Sequence, residues 1–179
     1  TKRRSSPANK PKAMRKAGLA VAHPSSRDLH RSLSPPASGV ARKSHLLFSR
    51  MVASEPGAAA KIDAIRSGVS AGVLEDMVRY LDAPKTVIFA VLRTPESTAH
   101  KAIKENKALD AATSERVVRI ADITRFAQET FGGQKGAIAW LKKANRALGG
   151  ASPLSVLDTG PGADEVRKIL SAINYGGAF

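Results

Sequence analysis

The sequence predicts an all-α fold, a helical bundle, on three observations. From Ala58 to Asn174 the apolar residues recur three and four positions apart, the period of helices with one buried face. No stretch alternates apolar and polar residues over the length of a strand. Aromatic residues are only 4% of the chain, so Ala, Val, Ile and Leu must fill the core, which suits closely packed helices.

Each element has its own signals. Ile62 and Ile65 mark a short first helix ending at Gly68. Ser70 is placed to cap a second, with Val73, Leu74, Met77, Val78 and Leu81 on one stripe. Pro84 opens a third helix, where its missing N–H is not needed, with Val87, Ile88, Val91 and Leu92 on one face. Thr94-Pro95-Glu96 restarts the chain: Thr94 as cap, Pro95 as first helical residue, and Glu96 where the helix dipole favours an acid. This fourth helix runs to about Asn106. Asp110 caps a long fifth through Val117, Ile120, Ala121, Ile123, Phe126 and Ala127, stopped by Gly132-Gly133. Gln134 to Lys143 forms a sixth with Ile138, Trp140 and Leu141, and Asn145 to Gly150 reads as a turn. Ser152-Pro153 starts a short helix through Leu154 and Leu157, which Thr159-Gly160-Pro161-Gly162 breaks. A last helix, about Ala163 to Asn174, places Val166, Ile169, Leu170 and Ile173 on one face.

Charge separates the chain into unlike parts. The net charge is +14, yet residues 1–50 hold twelve Lys and Arg against one acid, Asp28, so the remainder is only mildly basic. Residues 1–57 are rich in Ser, Pro, Lys and Arg and show no apolar period, so they are expected to form a disordered basic tail, with Leu46-Leu47-Phe48 as a short exception. Such a tail serves as a solvated extension, as an arm on DNA phosphates, or as a transit peptide; the globular pattern begins just after Met51, where translation would also be able to start. The folded part divides into 58–133 and 134–179.

Several function classes are disfavoured. There is no Cys, hence no thiol nucleophile and no cysteine-held zinc, and a reducing cytoplasm is the expected location. No run of eighteen apolar residues is present, so no membrane span is expected. His23, His30 and His45 lie in the tail and His100 stands alone, so no metal site is expected. The pairs Glu75-Asp76 and Asp164-Glu165 are adjacent on helices and point apart. Gly132-Gly133-Gln134-Lys135-Gly136 lacks the strand and the Lys-Ser/Thr ending of a phosphate loop. No enzyme and no cofactor are expected.

Binding features remain. The third and fourth helices, meeting at a tight turn, fit a helix-turn-helix. Ala99, Ala102 and Ile103 would face the core, while Ser97, Lys101 and Lys104 share one outer face and His100, Lys104 and Lys107 an adjacent row. Ser97, Thr98 and His100 suit base edges; Lys101, Lys104 and Lys107 suit phosphates; a solvated face reads equally well. The end, Tyr175-Gly176-Gly177-Ala178-Phe179, combines small residues with an aromatic terminus, features that suit insertion into a pocket, or a frayed end.

The ordered string Trp140-Leu141, Asn145, Ala147-Leu148-Gly149-Gly150, Pro153-Leu154, Leu157-Asp158-Thr159, Gly162, Val166, Leu170, Ile173, Tyr175-Gly176 resembles the toxin-binding domain of the Xre/MbcA/ParS antitoxins. Upstream, Thr98, Lys101, Leu109-Asp110, Ser114-Glu115-Arg116 and Arg119-Ile120-Ala121 resemble the Xre-type helix-turn-helix of the same family, although Thr98-Ala99-His100-Lys101 stands where members often show Thr-x-x-Arg-Arg. The resemblance implies an antitoxin, a homodimer that forms a hetero-oligomer with a RES-domain toxin acting on NAD. Its C-terminus would obstruct the NAD site, and its helix-turn-helix would repress the operon at operator DNA. Toxin-facing residues would then be Asn145, Arg146, Leu148, Gly149, Gly150, Asp158, Thr159, Gly160, Tyr175, Gly176, Gly177, Ala178 and Phe179. The alternative is a helix-turn-helix regulator without a toxin partner.

Overall fold

The computed structural model describes Thr1 and residues 48–176. Residues 2–47 of the tail expected over 1–57, and the end residues Gly177, Ala178 and Phe179, lie outside the described residues. Among the described residues the structure is all-α: nine α-helices and one 3₁₀ turn, with a single isolated bridge between Ser70 and Ala108.

The helices are α1 (Phe48–Ala53), α2 (Ala58–Ser67), α3 (Val73–Leu81), α4 (Lys85–Val91), α5 (Glu96–Lys104), α6 (Ala111–Phe131), α7 (Gln134–Lys142), α8 (Pro153–Val156) and α9 (Gly160–Asn174). The 3₁₀ turn Arg146–Leu148 separates α7 from α8. The organising element is α6. Its 21 residues span about 30 Å at 1.5 Å per residue. Asp110 caps it, accepting from Thr113 N at 2.9 Å, and Gly132 closes it in a left-handed conformation. Val117, Ile120, Ala121, Ile123 and Ala127 are buried along it. Helices α1, α2, α7 and α9 pack around it; α3 joins α1 to α4, and α8 fills the space beside α4 and α7. The core runs without a break from Phe48 in α1 to Leu170 in α9, so both halves of the folded part share it.

Three expectations need correction. Residues 48–53 are not tail: Phe48, Met51 and Val52 are buried. The ring of Phe48 meets Tyr80 edge-on at 5.4 Å, and buried Asp76 accepts from Ser49 N at 2.9 Å, anchoring the start of α1. A six-residue helix has too little sequence to show a period, which is why composition hid it. Ser70 does not cap α3; Gly72 precedes that helix, and Ser70 is drawn into the bridge with Ala108. Similarly Thr94 is not the cap of α5, whose N-cap is Pro95. The Thr94 hydroxyl donates back to Leu92 O at 3.3 Å instead.

The last helix also begins earlier than expected. Gly160-Pro161-Gly162 is its first turn, not a breaker. Pro161 occupies a position whose N–H would have no partner within the helix, and Thr159 caps the turn by accepting from Gly162 N at 3.1 Å.

Candidate functional site

Two surfaces carry the residues singled out by sequence. The first is built by the segments on either side of α8. Asn145 opens the 3₁₀ turn, its side-chain oxygen Oδ1 accepting from Ala147 N at 2.9 Å. Its backbone closes the loop, Asn145 N donating to Ala151 O at 3.0 Å and Gly150 N to Asn145 O at 2.9 Å. Gly149 and Gly150 have φ of 65° and 89°, which glycine adopts without penalty. No atom lies within 4 Å of where a Cβ on either would stand. The loop therefore presents bare backbone at the surface. Arg146 beside them is exposed, while Leu148 is turned inward and packs on the core.

Asp158, Thr159 and Gly160 follow α8 and are each partly buried. Asp158 accepts two hydrogen bonds from Arg93, from Nε at 3.0 Å and Nη2 at 2.8 Å. Thr159 is committed to capping α9. The helix then delivers Tyr175 at its far end, 91% exposed, far above the other exposed large apolar residues Ile62 and Val87. Gly176 follows with φ 74°.

The second surface is α5. Ala99 is buried, and Ala102 and Ile103 are half-buried against the core, as the helix-turn-helix reading requires. Ser97, Thr98, His100, Lys101 and Lys104 are all exposed. Two of the expected contacts change character. His100 stands edge-on to Phe89, ring centroids 5.5 Å apart, so its ring also serves packing between α4 and α5. Lys107 does not continue the row from Lys104: the helix ends at Lys104, Asn106 turns left-handed with φ 48°, and Lys107 pairs with Glu105. Ser97, Lys101 and Lys104 remain on one outward face.

The residue missed by sequence is Arg93. It is a left-handed non-glycine residue, φ 52°, in the turn between α4 and α5, and it joins the two surfaces through Asp158. Sequence offered no signal, since that backbone position is ordinarily read from a glycine. A second clamp has the same form. Lys142 Nζ donates to Asp82 Oδ2 at 2.6 Å and to Asp82 O at 2.8 Å, and this bonding holds the Asp82 carboxyl below its ordinary pKa. The charged groups lining the cleft of about 240 Å³ between α2, α6 and α9 are already paired: Arg119 with Glu115 and Arg167 with Asp164 within the lining, and Asp122 with Lys61 outside it. Among the described residues no group of three or more His, Asp or Glu is placed to hold a metal ion. None of their helices is long and apolar enough to cross a membrane.

Comparison with known proteins divides the folded part into two regions. Residues 60–122 match the antitoxin Xre-like helix-turn-helix domain, and residues 126–176 match the antitoxin Xre/MbcA/ParS C-terminal toxin-binding domain. The matches meet inside α6, upstream of the division expected at 133–134. The chain is 30% identical over 125 residues to the Prs ADP-ribosylating antitoxin of a Sphingobium species, covering 65% of this chain and 79% of that protein. It is 29% identical over 116 residues to the antitoxin Xre of Yersinia enterocolitica, covering 64% and 78% respectively. With the antitoxin Xre of Pseudomonas putida it shares 32% identity over 82 residues, covering 46% and 52%.

Proposed function

Because the chain belongs to the Xre/MbcA/ParS antitoxin family, we propose that it neutralises a RES-domain toxin by occluding that toxin's NAD site with its own C-terminus. The observation that carries this reading is the placement of Tyr175. The toxin-binding match runs to residue 176, and α9 brings it to a point where an aromatic side chain stands 91% exposed ahead of four small or apolar residues. An exposed aromatic at the end of a rigid helix is a ready anchor for a pocket on a partner. The loop Asn145–Gly150 and the segment Asp158–Gly160 would supply the rest of the toxin-facing surface. On this reading the protein acts in the cytoplasm by binding, without a cofactor and without catalysis of its own. The test is deletion of residues 175–179. The truncated chain should melt as the full chain does yet fail to protect cells expressing the toxin from the neighbouring reading frame. Protection by the truncated chain would sink the occlusion reading.

A second activity is proposed for α5. Its outward Ser97, Lys101 and Lys104, within the region that matches the helix-turn-helix domain, support contact with operator DNA by a homodimer, and hence repression of the operon. A regulator acting without a toxin would use the same face. Replacing Lys101 and Lys104 by Ala should weaken DNA binding and flatten its dependence on salt by about one unit of slope per lost phosphate contact. An unchanged slope would remove α5 as the DNA-reading helix.

A further inference from the structure

Arg93 has a role in neither proposed surface, yet it stands between them. It closes α4: Arg93 N donates to Ala90 O and Thr94 N to Phe89 O, each at 3.0 Å, the bonding of a helix end that normally takes glycine. Two arginines one turn apart on α6 hold the backbone on either side of the Arg93–Asp158 pair. Arg116 Nη1 donates to Leu92 O at 3.3 Å, and Arg119 Nη1 donates to Leu157 O at 3.3 Å. Leu92 and Leu157 immediately precede Arg93 and Asp158. The same helix therefore positions both members of the pair.

The pair is lopsided. Both Arg93 bonds end on Asp158 Oδ2, and among the described residues nothing bonds Oδ1. The Asp158 side chain is 24% exposed. A cation arriving on Oδ1 would compete with Arg93 for the same carboxylate charge. Loosened, Arg93 loses a contact that helps hold it in a conformation strained for any residue with a side chain, and α5 begins three residues later.

We propose that the Arg93–Asp158 pair is a coupling joint: a lysine or arginine of the toxin that engages Asp158 Oδ1 resets the turn that sets α5. This rests on the reading that Asp158–Gly160 face the toxin. Linkage makes the joint reciprocal, so a change in the turn alters the affinity at Asp158 by the same factor. The joint itself is testable in the isolated full chain by amide hydrogen exchange, using Arg93→Ala, Asp158→Asn and the double variant. Arg93→Ala removes the guanidinium and keeps a side chain at the left-handed position, so the strain of the turn is unchanged. Each single variant should speed exchange by about threefold, the scale of a partly exposed ion pair, on both sides of the joint: at Ala99–Lys101 in α5 and at Gly162–Ala163 in α9. The double variant should exceed neither single one. Acceleration confined to the mutated side overturns the proposal. So does equal acceleration at Ile120–Thr124 in α6, which would mean general loosening, and so does an additive double variant. Capture of the co-encoded toxin by Asp158→Asn tests the underlying reading separately. Undiminished capture would remove the toxin from the joint whatever the exchange data show.

Discussion

Gly162 and Gly160 stand two residues apart in the first turn of α9, and the same methyl group should have opposite effects on them. A Cβ on Gly162 would lie 2.0 Å from Val156 O, 2.9 Å from the Val156 carbonyl carbon and 2.9 Å from Thr159 Oγ1. Ordinary carbon–oxygen contacts begin at about 3.3 Å, so the overlap with Val156 O is more than an ångström. The obstacle is backbone at the end of α8 and cannot rotate away. Relief requires the first turn of α9 to move outward, which gives up the Thr159 cap, about 1 kcal/mol. Residual overpacking adds about 1–3 kcal/mol. Gly162→Ala should therefore cost about 2–4 kcal/mol and lower the Tm by roughly 10 °C in a domain of this size. At Gly160 no atom lies within 4 Å of the added Cβ, and the backbone is not left-handed. Gly160→Ala should leave stability unchanged or raise it by about 0.5 kcal/mol through the smaller entropy of the unfolded chain. Thermal melting followed by circular dichroism separates the two. A Gly162→Ala chain melting within 3 °C of wild type, taking that as a rough threshold, would refute the steric argument. An equal fall in Gly160→Ala would trace the effect to the helix start itself.

Three further outcomes are expected. Asp110→Ala should cost about 1 kcal/mol at neutral pH by removing the cap of α6. Because the Thr113 N–H and hydroxyl donate to the Asp110 carboxylate and lower its pKa, this contribution is complete above the ordinary aspartate value and fades as pH falls below about 4 toward the lower folded value; a gap between wild type and variant that widens in acid urea titrations would contradict it. Phe48→Ala removes a fully buried ring and should cost about 3–4 kcal/mol, and a loss below about 1 kcal/mol in urea denaturation would return α1 to the tail. Asn106→Gly exchanges a 3.3 Å bond from Ser70 Oγ for glycine's ease at a left-handed position, so its stability should stay within about 0.5 kcal/mol of wild type; a fall in Tm of more than a few degrees would show that the Ser70 tether matters more.

The helices were legible where they are long and periodic. The apolar stripe of α3, the Asp110 cap and the Gly132 stop of α6, and the Ser152-Pro153 start of α8 all stand where local chemistry places them. Local chemistry does not place helix starts where tertiary contacts claim the capping side chain, as at Ser70, or where a proline sits within a first turn, as at Pro161. The segments proposed to face the toxin were legible as turns, since Asn145, Gly149 and Thr159 each have a local conformational reason to be there. Arg93, Arg116 and Arg119 were not legible as a joint, because their partners are 65, 24 and 38 residues away in sequence and no local pattern records such a meeting.

Three successive helices end on left-handed residues that are not glycine: Asp82 after α3, Arg93 after α4 and Asn106 after α5. Each end is closed by a bond reaching five residues back, from Ala83 to Val78, from Thr94 to Phe89 and from Lys107 to Ala102. Each side chain then holds a second segment, Asp82 by Lys142, Arg93 by Asp158 and Asn106 by Ser70. Helix α6 supplies the contrast: it ends on Gly132, with nothing near a would-be Cβ and hence no tether. Asp and Asn visit the left-handed region at modest cost because their short polar side chains bond locally. Arginine has no such relief, and a strained residue persists only where its surroundings over-determine it. Here those surroundings are the Asp158 carboxylate and the two α6 arginines that fix the flanking carbonyls. Of the three tethers, the one built on the least suitable residue is the one that reaches the segment proposed to face the toxin. A glycine in its place would close α4 more easily but would leave α5 and Asp158 unconnected through this turn.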